Sequence, residues 1–214
     1  MSAVRISIDA CLEKAQVIFF DFDGVIKESI PVKSDAFEEL FLPYGVSTAK
    51  RVRNHHEENG GMSRYEKIPL YLKWSGLDPS RENIDRFSDN FSKIVKNRVI
   101  KSEWVEPVKR YLDSFYNSKV FILVTATPED EILEIVEKLG IRGYFHEVHG
   151  SPKSKVEVLQ NVIKQMGVDP AQTYMVGDSV HDYAAAISND VPFLLRRTNY
   201  NAELEKIHKG YMIL

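Results

Sequence analysis

Five short apolar runs alternate with helical patterns along this chain, and this alternation constrains the fold more than any other feature of the sequence. Runs of this kind are rich in β-forming residues and are typical of strands buried on both faces of a sheet. They occupy residues 17–20, 119–125, 144–148, 173–176 and 193–196. Helices are predicted between the last four, over residues 129–139, 154–166 and 181–188. Strands that alternate with helices in this way form βαβ units, so the sequence predicts an α/β protein with a parallel sheet.

The first of these helices has recognisable signals at both ends. Thr127 is the predicted N-cap, Pro128 takes the first helical position, and Gly140 ends the helix. The next helix is stopped by Gly167.

The stretch from residue 31 to residue 104 follows a different pattern. It contains no clear strand but several helix starts, such as Asp35 with Glu38 and Ser63 with Glu66. A long helical segment therefore interrupts the α/β pattern directly after its first strand. The sequence predicts a helical domain inserted into a core of two segments, with the insert at residues 31–104 and the core at residues 1–30 and 105–214.

Composition excludes several classes of protein. The 214 residues carry a net charge of −3, which provides no general basic surface for nucleic acid. No apolar run approaches the roughly 18 residues that a membrane helix needs, and charged residues interrupt the N-terminus, so no signal peptide is expected. The single cysteine, Cys11, excludes an intramolecular disulfide and fits a reducing compartment. We therefore expect a cytoplasmic protein that binds neither nucleic acid nor membrane.

Acidic residues follow two of the predicted strands. Asp21 and Asp23 come directly after the first strand and point to the same side, because side chains alternate along a strand. Asp178 and Asp182 follow the fourth strand. A bare Asp-x-Asp-Gly sequence is more often a turn, and the second segment also reads as a helix start with Asp178 or Ser179 as its N-cap. Four acids gathered at the carboxyl end of one parallel sheet, however, require a hard divalent cation.

Two further polar residues are candidates for binding an anion. Thr125 ends the second predicted strand, where its hydroxyl and the free amides of the next helix suit an anionic oxygen, although a capping role is an equal alternative. Lys155 opens the following helix, a position where its charge opposes the helix dipole. Lys155 is therefore a candidate for a functional role, and Lys153 competes with it.

Four segments, taken in chain order, resemble the four motifs of the haloacid dehalogenase superfamily: Asp21-Phe22-Asp23-Gly24-Val25, Thr125, Lys155, and Gly177-Asp178 with Asp182. The aspartate-dependent phosphohydrolases are the most similar group, since the dehalogenases lack the second acid. The insert resembles the cap of the phosphoglycolate phosphatase and β-phosphoglucomutase-like branch. The resemblance implies a Rossmann-like, three-layer core with a parallel sheet and an inserted all-helical cap.

The resemblance also implies a role for each motif residue. Asp21 would attack phosphorus to form an aspartyl-phosphate, and Asp23 would protonate the leaving oxygen and later deprotonate water. Mg²⁺ would be held by Asp21, Asp178 and the backbone carbonyl of Asp23, with Asp182 orienting a metal-bound water or Lys155. The transferring oxygens would be bound by Thr125, Lys155 and the amides of Gly24 and Ala126.

A polar segment of the insert, residues 55–67, is the candidate for choosing the leaving group. Arg64 and Lys67 share one face of the helix that starts at Ser63, where they could bind a second anionic group of the substrate. The alternative is an exposed, charged helix face. Lys27 and Lys33 are similar candidates near the start of the cap.

These predictions lead to a Mg²⁺-dependent phosphatase that acts on a small phosphomonoester, such as a sugar phosphate or a phosphoglycolate-like compound, as a monomer or a homodimer. A phosphomutase of the β-phosphoglucomutase type remains the alternative enzyme, because it would use the same aspartyl-phosphate. A phosphoacceptor receiver domain is a third possibility, but it would not need a helical insert beside its acceptor. A catalytically inactive binding protein is disfavoured, because every motif position is filled.

Overall fold

A computed structural model describes residues 4–5, 7–208 and 210–213 of the chain. Its strands are β1 (Val4–Arg5), β2 (Val17–Phe20), β3 (Val120–Pro128), β4 (Glu147–Ser151), β5 (Thr173–Gly177), β6 (Phe193–Arg196) and β7 (Tyr211–Ile213). They form one sheet in the order β1-β7-β6-β5-β2-β3-β4, and every neighbouring pair is parallel. The predicted parallel α/β core is confirmed.

Helices cover both faces of this sheet and also make up the inserted segment. They are α1 (Ile8–Cys11), α2 (Ile30–Phe41), α3 (Val46–Glu58), α4 (Arg64–Trp74), α5 (Arg81–Lys101), α6 (Glu106–Phe115), α7 (Glu129–Lys138), α8 (Lys155–Met166), α9 (Val180–Ser188) and α10 (Ala202–Ile207). Within the described part of the chain, no helix combines the length and the apolar character needed to cross a bilayer.

The central strand β2 contributes to a separate hydrophobic cluster on each face. Val17 and Phe19 pack with apolar residues of α8, α9 and α10. Ile18 and Phe20 face the other way and join apolar residues of α6, α7 and the helical insert. All four side chains are buried, as expected for a strand at the centre of a three-layer core.

The insert follows β2 and consists of α2 to α5, as the sequence pattern predicts. The two segments that connect it to the sheet run side by side: the amide of Val105 donates to the carbonyl of Ile26, and Lys27 and Trp104 form an isolated bridge. The ammonium of Lys27 lies 4.1 Å from the centre of the Trp104 ring and donates to the Ile100 carbonyl. Lys27 therefore belongs to this connection. The exact domain boundaries stay a prediction.

Two local predictions are wrong, and two edge strands were missed. The strand predicted at residues 144–148 lies at Glu147–Ser151, because a 3₁₀ turn at Arg142–Tyr144 precedes it. Thr127 does not cap α7: β3 extends through Pro128, which is itself the N-cap. The edge strands β1 and β7 were not predicted, since two and three residues are too few to produce a recognisable pattern.

Candidate active site

The acidic residues of the two motifs meet at the carboxyl end of the sheet. Phe20 in β2 is in register with Val176 in β5, so the residues that follow these strands lie at the same level. Carboxylate oxygens of Asp21, Asp178 and Asp182 lie within 4.8 Å of one another, and all three residues are buried. The sequence predicts that these acids lie close together although more than 150 residues separate Asp21 from Asp178, and in the folded chain they do.

Lys155 provides the positive charge inside this cluster. Its ammonium lies 2.9 Å from a carboxylate oxygen of Asp21 and 2.5 Å from one of Asp182. The lysine reaches them from the first turn of α8, whose N-cap Ser154 forms a capping box with Glu157. Lys153 points elsewhere and pairs with Glu129 on the surface. Of the two candidate lysines, it is Lys155 that lies at the acidic cluster.

Asp182 is fixed by its own surroundings. One carboxylate oxygen accepts from Lys155, and the other accepts from the amide and the hydroxyl of Ser179 at 3.0 and 2.7 Å. Ser179 and Asp182 form the capping box of α9. A Cβ at Gly177 would lie 2.3 Å from the Cβ of Asp182, so this strand end requires glycine. Asp182 therefore orients Lys155, and Asp21 and Asp178 are left as the more open carboxylates.

The electrostatics of the cluster favour a bound cation. Burial, with the neighbouring acids, raises the pKa of Asp21 to about 7, against the opposing charge of Lys155. Burial and the charges of Asp21 and Asp182 raise the pKa of Asp178 well above its usual range. None of the described residues donates a hydrogen bond to the Asp178 carboxylate. Three carboxylates with one ammonium suit a hard divalent cation, which would keep Asp21 and Asp178 ionised.

Asp23 has a different environment from Asp21, although the two are only two residues apart. Its carboxylate accepts from the Ser29 hydroxyl at 2.6 Å, from the Lys33 ammonium at 2.5 Å and from the Thr127 hydroxyl at 3.3 Å. Burial alone would raise the pKa of Asp23, but the charge and hydrogen bond of Lys33 hold it below its usual value. The two acids therefore occupy sites of opposite electrostatic character.

The predicted phosphate-binding residues lie around the same strand ends. Gly24 has a φ of +73°, and a Cβ there would come 2.5 Å from a carboxylate oxygen of Asp178, so the backbone approaches the cluster closely. Thr125 is buried in β3, and its hydroxyl accepts from the amide of Thr127 at 3.3 Å. Ala126 lines the cavity beside the cluster. Their role in binding phosphate stays a prediction.

The insert covers the cluster and leaves a cavity of about 50 Å³. Side chains from both parts of the molecule line it: the core contributes Asp23, Ala126, Thr127 and Asp178, and the insert contributes Lys33, Phe37, His56, Met62, Arg64, Lys67 and Phe91, among others. The alternative of an exposed helix face for Arg64 and Lys67 is wrong, since their relative exposures are 6% and 1%.

Arg64 is already engaged at the border of this cavity. Its guanidinium donates to both carboxylate oxygens of Glu131 in α7, at 2.9 and 2.7 Å, and to the Ser92 hydroxyl. Both side chains of this ion pair are buried. Arg64 therefore joins the insert to the core, and its predicted contact with substrate stays untested.

Sequence reasoning missed several residues at the site. Thr127 was assigned to a helix cap, yet its hydroxyl contacts Asp23 and Lys33. Glu131 was not considered, although its position on the first turn of α7 was a signal that it faces the carboxyl end of the sheet. Asn201, whose side-chain amide donates to the carbonyl of Asp178 at 2.8 Å, gave no signal in the sequence.

Comparison with known proteins decides which family this arrangement belongs to. A profile of the haloacid dehalogenase-like hydrolases matches residues 18–195, which includes all four motifs. The chain belongs to the haloacid dehalogenase-like hydrolase family. The predicted family resemblance is confirmed, and the roles of the individual site residues stay predictions.

Individual members of the haloacid dehalogenase-like hydrolase family show how distant the relatives are. A phosphoglycolate phosphatase from Psychrobacter arcticus is 26% identical over 200 residues, covering 87% of this chain and 85% of the relative. A phosphorylated carbohydrates phosphatase from Thermotoga maritima is 25% identical, with 81% of each chain covered. A solved hydrolase of the family from Streptococcus pneumoniae matches with a TM-score of 0.69 at 17% identity, over 94% of each chain.

Proposed function

We propose that this chain is a Mg²⁺-dependent phosphatase that hydrolyses a small phosphomonoester through an aspartyl-phosphate intermediate. The observation that carries the proposal is the contrast between two neighbouring acids. Asp21 lies with other buried carboxylates beside Lys155, whereas Asp23 is held by Lys33, Ser29 and Thr127. Without a cation the pKa of Asp21 is raised and that of Asp23 is lowered, so the two roles proposed here require the bound cation to ionise Asp21 and the incoming phosphate dianion to raise the pKa of Asp23.

In the first step an Asp21 carboxylate oxygen attacks phosphorus, and the ester P–O bond breaks. Asp23 gives a proton to the leaving oxygen, which departs as an alcohol. Lys155, 2.9 Å from Asp21, offsets the repulsion between the carboxylate and the incoming phosphate dianion. Because Asp182 holds Lys155 from the opposite side, the ammonium stays oriented toward Asp21 during the reaction.

In the second step water attacks phosphorus and the P–O bond to Asp21 breaks. Asp23 accepts the proton of the attacking water, and the Asp21 carboxylate is restored. A positioned acid and base of this kind typically contributes 10²–10⁴-fold to the rate. An amide at this position, as in Asp23→Asn, could complete neither step, because it can neither give a proton to the leaving oxygen nor accept one from the attacking water.

The residues fit a divalent cation at the acidic cluster. Asp21 and Asp178, with the backbone carbonyl of Asp23, would hold it. When bound, Mg²⁺ would neutralise charge on the transferring phosphoryl group. The names of the two curated relatives, both phosphatases, support the same reaction class, and the names also suggest the substrates: phosphoglycolate or phosphorylated carbohydrates.

The proposal is tested by measuring phosphate release from a panel of phosphorylated metabolites with Mg²⁺ and with EDTA. We expect release from at least one compound, and only with Mg²⁺. The Asp21→Asn variant should retain its circular dichroism spectrum and lose all but about one per cent of the activity, because an amide is not a competent nucleophile.

Two outcomes would contradict parts of this proposal. Residual activity of Asp21→Asn well above one per cent would exclude Asp21 as the nucleophile. Formation of an isomeric sugar phosphate, with little free phosphate, would favour a phosphomutase instead. Chromatography of the products alongside the phosphate assay separates these cases.

A further inference from the structure

A second cavity adjoins the acidic cluster and lies between the insert and the core. It measures about 250 Å³ and shares Ile30, Gly60 and Asp178 with the smaller cavity described above. Its lining includes the exposed residues Glu58 and Glu203, whereas Asp178 is only 7% exposed. It has room for several water molecules. The cavity therefore connects solvent to one carboxylate of the cluster.

The charged residues that line this second cavity are all acidic. They are Glu57, Glu58, Asp178 and Glu203. Among the described residues, no lysine, arginine or histidine lines it. The smaller cavity is different, because the insert lines it with the cations Lys33, Arg64 and Lys67. The insert thus presents positive charge to one cavity and negative charge to the other, which we call the acidic groove.

Nearby cations neutralise only part of the charge of the acidic groove. Glu57 accepts from the guanidinium of Arg53 at 3.1 Å, and Glu203 pairs with Lys206 on the surface. Glu58 forms no ion pair in the described part of the chain. The groove therefore keeps a negative potential that attracts cations from solvent.

Asp178 forms the inner end of the acidic groove. It is the member of the cluster that lines the groove, whereas Asp21 and Asp182 do not. Its buried carboxylate receives no hydrogen bond from any described residue, and a buried charge without a partner is costly. A cation that enters through the groove would meet this carboxylate first.

The position of Glu57 and Glu58 on their helix does not favour folding. They are the last two residues of α3, where the helix carbonyls already carry partial negative charge. Acids are unfavourable at this end of a helix, and bases are favourable. Glu58, which also has no ion pair, therefore contributes a negative charge to the groove at a cost to the helix.

We propose that the acidic groove is the route by which the divalent cation reaches Asp178, and that Glu58 attracts the hydrated ion at its outer end. This inference rests on the cation site of the proposed function. It also gives the two charged reactants separate surfaces, since the phosphate dianion is attracted to the cations of the smaller cavity. Clefts lined by charge of one sign raise association rates by about 10- to 1000-fold.

The experiment measures how fast Mn²⁺ alone binds to the metal-free protein. Mn²⁺ replaces Mg²⁺ because both prefer oxygen ligands. The EPR signal of free Mn²⁺ gives Kd, and stopped-flow release of the bound ion to an excess of a fluorescent chelator gives the dissociation rate constant. The dissociation rate constant divided by Kd is the association rate constant.

We expect association to slow by about 3-fold in Glu58→Gln and by roughly 10-fold in Glu58→Lys at about 10 mM salt. At about 1 M salt, where screening is nearly complete, both variants should lie within about 2-fold of wild type. Kd should change by a smaller factor than the association rate constant. Glu58→Lys should melt no lower than wild type, because a base suits the end of α3, so unfolding cannot account for slower binding.

Asp89→Asn and Asp89→Lys are the matched controls. Asp89 is an exposed acid of α5 that does not line the groove, and the two substitutions change the net charge by the same amounts. Both control variants should bind Mn²⁺ at the wild-type rate within about 2-fold. Equal slowing of the Asp89 and Glu58 variants would overturn the proposal, because net charge alone would then explain it.

Two further results would also overturn the route. One is an association rate that does not change in the Glu58 variants. The other is a rise in Kd that comes only from faster dissociation, since Glu58 would then act on the bound ion and not on its entry. If instead wild type binds no Mn²⁺, or Asp178→Asn binds it as tightly as wild type, the cation site of the proposed function itself is contradicted.

Discussion

Backbone carbonyls of the active-site loops are held by two side chains, one at the end of β6 and one at the start of α10. The guanidinium of Arg196 donates to the carbonyl of Gly24 at 3.2 Å and pairs with Glu28. The side-chain amide of Asn201 donates to the carbonyls of Asp178 and Arg196, at 2.8 Å each. Neither residue is in a catalytic motif. They cross-link the two acidic loops, so that the carboxylates keep their positions despite mutual repulsion.

Replacing Asn201 should therefore destabilise the protein. The residue is buried, and its Oδ1 atom also accepts from the amide of Thr198, so Asn201→Ala leaves three backbone groups without partners. We expect the free energy of unfolding in urea to fall by about 1–3 kcal/mol. Asn199→Ala is the control, because Asn199 is exposed, and it should change stability by no more than about 0.5 kcal/mol. Equal effects of the two substitutions would contradict this role of Asn201.

At the scale of elements, the loop between α3 and α4 makes close contact with the start of α9. Gly60 and Gly61 lie in this loop, and they differ in the space available for a side chain. A Cβ at Gly61 would lie 2.5 Å from the Ser179 hydroxyl and 2.7 Å from the Cβ of His181. A Cβ at Gly60 would meet no atom closer than 4.0 Å. The backbone of the insert therefore packs closely against the core at Gly61 but not at Gly60.

This difference predicts opposite results for two adjacent substitutions. Gly61→Ala should lower the free energy of unfolding by about 1–3 kcal/mol, since Ser179 is fixed by the capping box of α9 and cannot move away freely. Gly60→Ala should be neutral or slightly stabilising, because it reduces the freedom of the unfolded chain. Urea unfolding of both variants checks the prediction. A Gly61→Ala protein as stable as Gly60→Ala would show that the loop does not pack against α9 in solution.

Elements of the sequence differ in how well they could be predicted. β2 was placed correctly to the residue, because four consecutive apolar residues between polar segments leave no other register. The end of α8 at Gly167 was equally clear, and the glycine adopts the left-handed conformation that commonly ends a helix. Thr127 was misassigned because it satisfies the local rule for a cap, while its actual contacts with Asp23 and Lys33 come from distant parts of the chain. Local patterns carry no information about such contacts.

At the scale of the molecule, a buried ion pair joins the insert to the core. The carboxylate of Glu131 in α7 accepts from Arg64 in α4, and the Arg64 guanidinium also lies 4.7 Å from the centre of the Phe91 ring. A buried pair contributes little compared with an apolar contact, but removing one partner leaves the other charge without compensation. The position of the insert over the active site therefore depends on both members of the pair.

Glu131→Gln should lower the free energy of unfolding at pH 7 by about 3 kcal/mol. Burial would raise the pKa of Glu131, but the charge of Arg64 lowers it below the reference value of 4.5. The carboxylate thus stabilises the folded state above pH 4.5 and loses this effect as the pH falls through its folded-state value. The stability difference between wild type and variant should be constant near neutral pH and shrink below about pH 4.5.

Urea unfolding at several pH values measures this difference. Glu137→Gln is the control on the same helix, because Glu137 is exposed and forms no ion pair among the described residues, and it should change stability by at most about 0.5 kcal/mol. A difference between wild type and Glu131→Gln that does not depend on pH would mean that the lost stability comes from packing rather than from the charge of Glu131.

The acidic cluster should destabilise the whole protein when no cation is bound, because its carboxylates repel one another, although the same carboxylates would bind the cation. Asp178 is buried beside Asp21 and Asp182, and none of the described residues hydrogen-bonds its carboxylate. Asp178→Asn removes one of these repelling charges, so in EDTA the variant should be more stable than wild type by about 1 kcal/mol, or roughly 2–4 °C in Tm. Mg²⁺ at 100 times its Kd should stabilise wild type by about 2.7 kcal/mol and the variant far less.

The order of the two melting temperatures should therefore reverse when Mg²⁺ is added. Asp190→Asn provides the control, since Asp190 is an exposed acid with a φ of +55° that asparagine also tolerates, and its response to Mg²⁺ should equal that of wild type. Equal stabilisation of wild type and Asp178→Asn by Mg²⁺ would show that the cation binds elsewhere. A variant less stable than wild type in EDTA would show that the cluster is not repulsive, because the chain would then tolerate its three buried carboxylates without a cation.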